Sequence, residues 1–200
     1  RREDRLLLPF QPKVALSLGF KNGAYNTGPE KFMRDLHGHL NRIRYRSEEF
    51  HEQAMELIDP RPEEASPEQV SPGFQILKGR LALKGEGLSP LQVLEALEEA
   101  NRRGMPLGSG LIWEASRKIQ EQGKDLVGLS EAKQLFLNLL YHPSDPKVLR
   151  LALELGIIPL FIPEFKKIRN LAQFSYYHSE TVDLHSLKTL EIIHDLARGL

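Results

Sequence analysis

The stretch "DPRPEEASPEQVSPG" at 59–73 constrains this chain most, because its four prolines and run of acids deny helix and strand alike. It reads as a linker or long loop that separates one long helical segment from a series of shorter ones. Before it, Phe32, Leu36, Leu40, Ile43, Phe50, Ala54 and Leu57 recur at spacings of three, four and seven. That spacing predicts one amphipathic helix over 29–58, with Pro29 suited to its first turn. After it, "FQILKGRLALKG" alternates apolar and polar residues on either side of Lys78-Gly79, predicting a short β-hairpin with strand confined near 74–84. Helices are expected at 89–101 from Ser89 and Pro90, at 109–122 from Ser109, at 130–141 from Ser130, and at 145–155 from Asp145 and Pro146 to a stop at Gly156. Pro159 and Pro163 break the pattern in "IIPLFIPEF", and a last helix is expected from near Thr181. The expected fold class is all-α, a helical bundle with one long N-terminal helix and a small β-hairpin.

With 200 residues, 40% of them hydrophobic and 27% charged, the chain suits a globular protein of one domain or two small ones. Lys+Arg and Asp+Glu both number 27, so no long-range field steers the molecule onto nucleic acid or an anionic membrane, and neither is an expected partner. The absence of cysteine excludes disulfides, a thiol nucleophile and a zinc–thiolate site, which fits a reducing cytoplasm as the expected location. No apolar run approaches the roughly 20 residues that span a bilayer. The opening "RREDRLLLPF" has neither an initiating Met nor the order of a signal peptide, so the sequence reads as a piece of a longer protein.

Motifs with chemical content are few. "RGMPLGSGLIWEAS" holds Gly104, Gly108 and Gly110 before a helix, yet it matches neither G-x-G-x-x-G nor a P-loop. A nucleotidyltransferase would follow its Gly-Ser with two acids one residue apart that hold magnesium. After Gly108-Ser109 the nearest candidate is Asp125, whose partner position is Val127, so this stretch reads as a loop and helix N-cap. "NRIRYRSEEF" places Arg42, Arg44 and Arg46 around Tyr45, but Glu48, Glu49 and Glu52 follow at once, which favours a solvated, ion-paired face over a phosphate-binding ridge. His37 and His39 diverge by about 200° on a helix and are expected at the surface. No G-x-S-x-G elbow is present. Catalytic residues are expected to be absent from the chain.

"YYHSETVDLHSLKTLEIIHDL" near the C-terminus carries three of the seven histidines. On a helix, Lys188, Glu191, Asp195 and Arg198 share a wet face, while His185 lies on the flank of the apolar side between Ile192 and Leu196. There an imidazole must find a partner or a metal. His194, nine residues on, points the other way and cannot share an ion with His185; with Asp195 it reads as a surface pair. His178 reads as a loop residue. The residues alone favour His185 as a satisfied core histidine over His185 as a ligand.

"IPEFKKIRNLAQFSYYHSETVDLHSLKTL" resembles the segment leading into the HD domain of the bacterial PII uridylyltransferase/uridylyl-removing enzymes. Pro163, Glu164, Phe165, Ile168, Gln173, Tyr177, His178, Thr181, Val182, Asp183, His185 and Leu187 match that pattern in register. "EDRLLLPFQ" at 3–11 and "EKFMRDLHGHL" at 30–40 resemble segments just after the family's nucleotidyltransferase domain, whereas 59–129 matches in pattern only. Glu180, Ser186 and Leu36-His37 depart from it.

The resemblance implies a helical segment at 1–58 following a nucleotidyltransferase domain, a linker at 59–73, a helical bundle with hairpin at 74–175, and the first helix of an HD domain at 176–200. It implies the central region of a signal-transducing enzyme, inactive alone, that supports the transferase domain and connects it to the HD phosphohydrolase. The implied partners are those two domains and a PII-type signal protein. His185 would be the first metal-binding histidine of the HD site; no cofactor is implied for this region, and Mg or Mn for the whole enzyme. Two other readings stay open: a free-standing helical interaction module, and an HD-type hydrolase with a metal on His178, His185 and Asp195. The chain alone is expected to transfer no nucleotidyl group from UTP or ATP to a PII-type protein, because it lacks the carboxylates that position magnesium; incorporation of labelled nucleotide by the purified chain would contradict this.

Overall fold

The structure, a computed structural model, describes residues 6–24, 26–58, 68–71, 73–85, 87–171, 181–197 and 199 of the chain. A 3-10 turn at Leu8–Phe10 runs into α1 (Gln11–Ser17), which the sequence reading did not foresee: it is two turns long and buries only Gln11 and Ala15. The long helix is present as α2 (Gly28–Ile58). Its start is fixed by a reciprocal capping box, in which the Thr27 N–H donates to Glu30 Oε2 (2.7 Å) and the Glu30 N–H donates to Thr27 Oγ1 (3.4 Å). Gly28 is required there, since a Cβ would meet the Phe20 carbonyl oxygen at 2.5 Å.

The apolar stripe of α2 is not its main packing face, contrary to the amphipathic reading. Phe32 is buried against the edge of Phe20, with ring centroids 5.6 Å apart. Farther along, Leu40, Ile43, Phe50 and Leu57 are 49%, 62%, 71% and 85% exposed. Arg34, Gly38 and Asn41 lie about 140–200° round the helix from Leu36 and face the rest of the molecule. The attachments there are polar. Arg34 Nη2 donates to the Lys167 carbonyl (2.8 Å), Asn41 Nδ2 donates to Asn170 Oδ1 (3.1 Å), and Arg44 pairs with Glu154 (3.6 Å).

The expected hairpin is the outer part of an antiparallel meander of β1 (Glu68–Ser71), β2 (Phe74–Leu77) and β3 (Arg80–Leu83). Lys78 and Gly79, with φ of 52° and 71°, make the left-handed two-residue turn that matches strand twist. Strand β1 lies within 59–73, where no strand was expected; Gly73 lies in the turn to β2, and 59–67 and 72 fall outside the described residues. The sheet docks on the helices through Leu81, whose N–H donates to the Pro106 carbonyl (3.0 Å) and whose carbonyl accepts from the Gly108 N–H (2.8 Å).

The helices that follow are α3 (Pro90–Arg103), α4 (Ser109–Gln122), α5 (Ser130–Tyr141), α6 (Lys147–Glu154), α7 (Ile157–Phe161), α8 (Pro163–Ile168) and α9 (Val182–Ala197). A 3-10 stretch at Gly123–Gly128 links α4 to α5. Helix α3 has a Ser89–Gln92 capping box and ends at Gly104 with φ of 64°. "IIPLFIPEF" forms two short helices rather than a break. Pro163 opens α8, and Pro159 falls in the first turn of α7, where no intrahelical donor is needed. One core joins these elements, with Leu81, Val93, Leu94, Leu97, Leu126, Ala132 and Ile157 fully buried, Phe136 stacked on Phe161 at 4.6 Å, and Leu187 of α9 included.

Buried Asn101 ties the end of α3 to the turn before α6: its Nδ2 donates to the His142 carbonyl (2.9 Å), and its Oδ1 accepts from the Ser144 N–H (2.7 Å). Replacing Asn101 with Ala leaves those backbone groups without partners, and urea denaturation is expected to show a loss of about 2–3 kcal/mol. A change below about 0.5 kcal/mol would show that the tie does not hold the turn.

Candidate functional site

A cleft of about 210 Å³ opens where α2, α4, the end of α6 and the α8–α9 junction meet. Asp183, the second residue of α9, sits there at 2% exposure, placed in the first helical turn where a carboxylate is favoured by the helix dipole. Its Oδ2 accepts the Asn170 N–H (3.0 Å), and its Oδ1 has no hydrogen-bond partner among the described residues. Neighbouring Thr181, at 1% exposure, also has an Oγ1 without a partner among the described residues. Asn170 turns the chain with φ of 54°, and its side-chain oxygen receives Asn41 of α2.

Arg169 and His37 both feel the charge of this carboxylate. Arg169 Nη2 donates to the Glu154 carbonyl at the end of α6 (3.1 Å). Burial pushes the Arg169 guanidinium below its ordinary value, against the pull of the Asp183 and Glu154 charges. Burial likewise holds the His37 imidazole below its ordinary 6.5, partly offset by Asp183. At the mouth of the cleft, the Arg46 guanidinium lies 3.9 Å from the centre of the Trp113 ring. The chemistry of this arrangement is that of a joint: a buried carboxylate, closed to solvent, anchors a helix start to a turn and through it to α2.

His185 stands elsewhere. It is the fourth residue of α9 and is exposed, because the flank on which the sequence placed it, between Ile192 and Leu196, faces solvent, with those residues 52% and 70% exposed. On the expected wet face, Lys188 and Asp195 are exposed, but Glu191 turns inward to Arg150 (3.2 Å), and the Arg198 side chain lies outside the described residues. His194 is half-buried, which corrects its reading as a surface residue; His178, Gln173 and Tyr177 lie outside the described residues. His39 is exposed and 3.6 Å from Asp35, as a surface residue should be, whereas His37 is half-buried, since it lies on the polar face that α2 turns inward. Among the described residues, no group of three or more His, Asp and Glu side chains could hold a metal ion.

The glycine-rich stretch serves packing: Gly104 caps α3 and Gly108 docks the sheet. Arg44 reaches across to Glu154 on α6, while the side chains of Arg42, Tyr45, Glu48, Glu49 and Glu52 lie outside the described residues. Sequence reasoning missed Asn41, Arg169 and Asn170. Asp183 appeared there as a motif position without a role; an acid in the first turn of the last helix was the signal available.

A half-buried neutral His37 makes stability pH-dependent. With its folded value below 6.5, the unfolded chain binds the extra proton, so the contribution is intact above about 6.5 and is lost as pH falls below it. The His37→Gln variant is expected to show a shallower fall in unfolding free energy between about pH 6.5 and 5. The difference should be a fraction of the about 1.4 kcal/mol per pH unit one proton allows, because solvent screens the half-open ring. Identical pH profiles for the two proteins would remove His37 from this role.

Residues 1–51 match the family model described as GlnD PII-uridylyltransferase. The chain is 27% identical over 211 residues to the bifunctional uridylyltransferase/uridylyl-removing enzyme of Cereibacter sphaeroides, covering 99% of this chain and 22% of that enzyme. It is 30% identical over 215 residues to the enzyme of the same name from Ruegeria pomeroyi, and 30% over 224 residues to that from Phenylobacterium zucineum, covering in each case 100% of this chain and 23% of the relative. No solved structure matches. The chain spans less than a quarter of the length of the curated relatives it matches, at 22–23%, and over nearly its whole extent it is similar to bifunctional uridylyltransferase/uridylyl-removing enzymes.

Proposed function

We propose that this chain is the helical region that supports the nucleotidyltransferase domain of a uridylyltransferase/uridylyl-removing enzyme and connects it to an HD phosphohydrolase domain. The observation that carries this reading is a pair of uncovered apolar faces. On α2, Ile43, Phe50 and Leu57 remain in water although burial would favour each by about 1.5–3 kcal/mol. On α9, Leu190, Ile192, Ile193 and Leu196 are 43%, 52%, 56% and 70% exposed. Contiguous apolar surface of this kind marks a place where another surface packs. The face on α2 follows the segments that resemble the border of the transferase domain, and the face on α9 carries the segment that resembles the entry to the HD domain.

In this division residues 1–58 border the transferase domain, 59–73 connect, 74–175 form the body, and 176–200 enter the HD domain. The whole enzyme would act on a PII-type signal protein in the cytoplasm. Among the described residues, no helix is long and apolar enough to cross a membrane. His185 would lend its exposed imidazole to a divalent metal, Mg or Mn, whose other ligands come from beyond this region. The residues present do not by themselves fit such an ion, since one imidazole cannot hold it.

The test compares two lengths of chain. In the 200-residue protein, His185→Asn should alter stability by about 1 kcal/mol or less, because the side chain is exposed. In a longer protein containing both flanking domains, the same change should strip metal from the HD domain and abolish uridylyl removal while uridylyl transfer survives. Metal content by mass spectrometry and both activities are measured together. Retained metal with normal removal would overturn the assignment and leave the helical interaction module as the account of the exposed faces.

A further inference from the structure

Asn170 is held in a backbone conformation that favours glycine, φ of 54°, with each end of the residue engaged on a different helix. Its N–H donates to Asp183 Oδ2 at the start of α9 (3.0 Å), and its side-chain oxygen accepts from Asn41 Nδ2 in the middle of α2 (3.1 Å). The same corner is pinned on both sides, by Arg34 on the Lys167 carbonyl (2.8 Å) and by Arg169 on the Glu154 carbonyl (3.1 Å). Gly38, one turn before Asn41, allows the approach: a Cβ there would lie 3.1 Å from Asn170 Nδ2. At the other end, Asp183 Oδ1 and Thr181 Oγ1 are buried without partners among the described residues, an arrangement that costs stability where α9 begins.

We infer that Asn170 is a latch between α2 and α9, so that the seating of α2 through Asn41 fixes the start of α9, and drawing α2 away from the body releases it. A partner that packs on the apolar stripe of α2 bears on the helix whose opposite, polar face carries Asn41. The helix start that responds has two unsatisfied polar atoms to hydrate on release, so the seated state is poised to open. That this links a transferase domain to an HD domain rests on the function proposed above; the latch itself stands on the geometry and is tested in the 200-residue chain.

The test is native-state hydrogen exchange of the α9 amides at 185–190, together with emission from Trp113, the chain's one tryptophan, which lies in the cleft under Arg46. Asn41→Ala cuts the latch from the α2 side. Asn170→Gly cuts the same hydrogen bond while keeping the backbone N–H for Asp183 and relieving the positive φ. Each is expected to speed α9 exchange by about tenfold, the scale of one net hydrogen bond, with the double variant no faster than either single one and α3 amides unchanged. Trp113 emission should shift in all three. Gly38→Ala separates a latch from a merely structural role: it favours the α2 helix yet presses on Asn170, so α2 exchange should slow while α9 exchange quickens. Exchange in α9 within about twofold of the parent in Asn41→Ala, a uniform rise through α3 as well, additive effects in the double variant, or slowing of both helices in Gly38→Ala would each overturn the latch.

Discussion

Burial of one face of α3 is the constraint from which most of the body follows, because Val93, Leu94 and Leu97 are wholly excluded from water and every neighbouring element contributes to excluding it. Helices α4, α5 and α6 and the 3-10 stretch all pack on α3. At about 1.5–3 kcal/mol for each large side chain so covered, this face outweighs any single polar contact in the molecule. The small sheet enters the same core through Leu81 and Phe74 and packs on α4, so it is not a separate unit.

Helix α2 is attached on other terms. Beyond Phe32 it meets the body with guanidinium, amide and glycine rather than with its apolar stripe. Surface ion pairs and single hydrogen bonds contribute about 0–1.5 kcal/mol each, so this contact is specific in register yet weak in total. A long helix held by such bonds leaves its most apolar surface in solvent. That is the physical content of reading this chain as a connecting region.

The two functional-looking residues of the T-V-D-x-H motif take opposite positions for a simple geometric reason. Asp183 and Leu187 are four residues apart and share the buried face of α9, while His185, midway between them, is turned to solvent. One motif therefore supplies an anchor to the body and a group offered outward. Replacing the anchor would disturb the fold first, and replacing the outward group would leave it intact.

Local chemistry made much of the fold legible in the sequence alone. The Ser89 and Gly104 limits of α3, the Lys78-Gly79 turn and the prolines near helix starts act over a few residues, so spacing revealed them. The sequence also carries the likeness to the uridylyltransferase/uridylyl-removing enzymes, which needs no coordinates. What only the tertiary structure decided is which way the faces point. An apolar stripe at helical spacing is the same in sequence whether it meets a core or solvent, and α2 and α9 showed the second outcome. The Asn41–Asn170 bond joins residues 129 positions apart, and the half-burial of His37 depends on that closure. Periodicity encodes a direction around one helix axis; it holds no information about what stands opposite until the chain has folded.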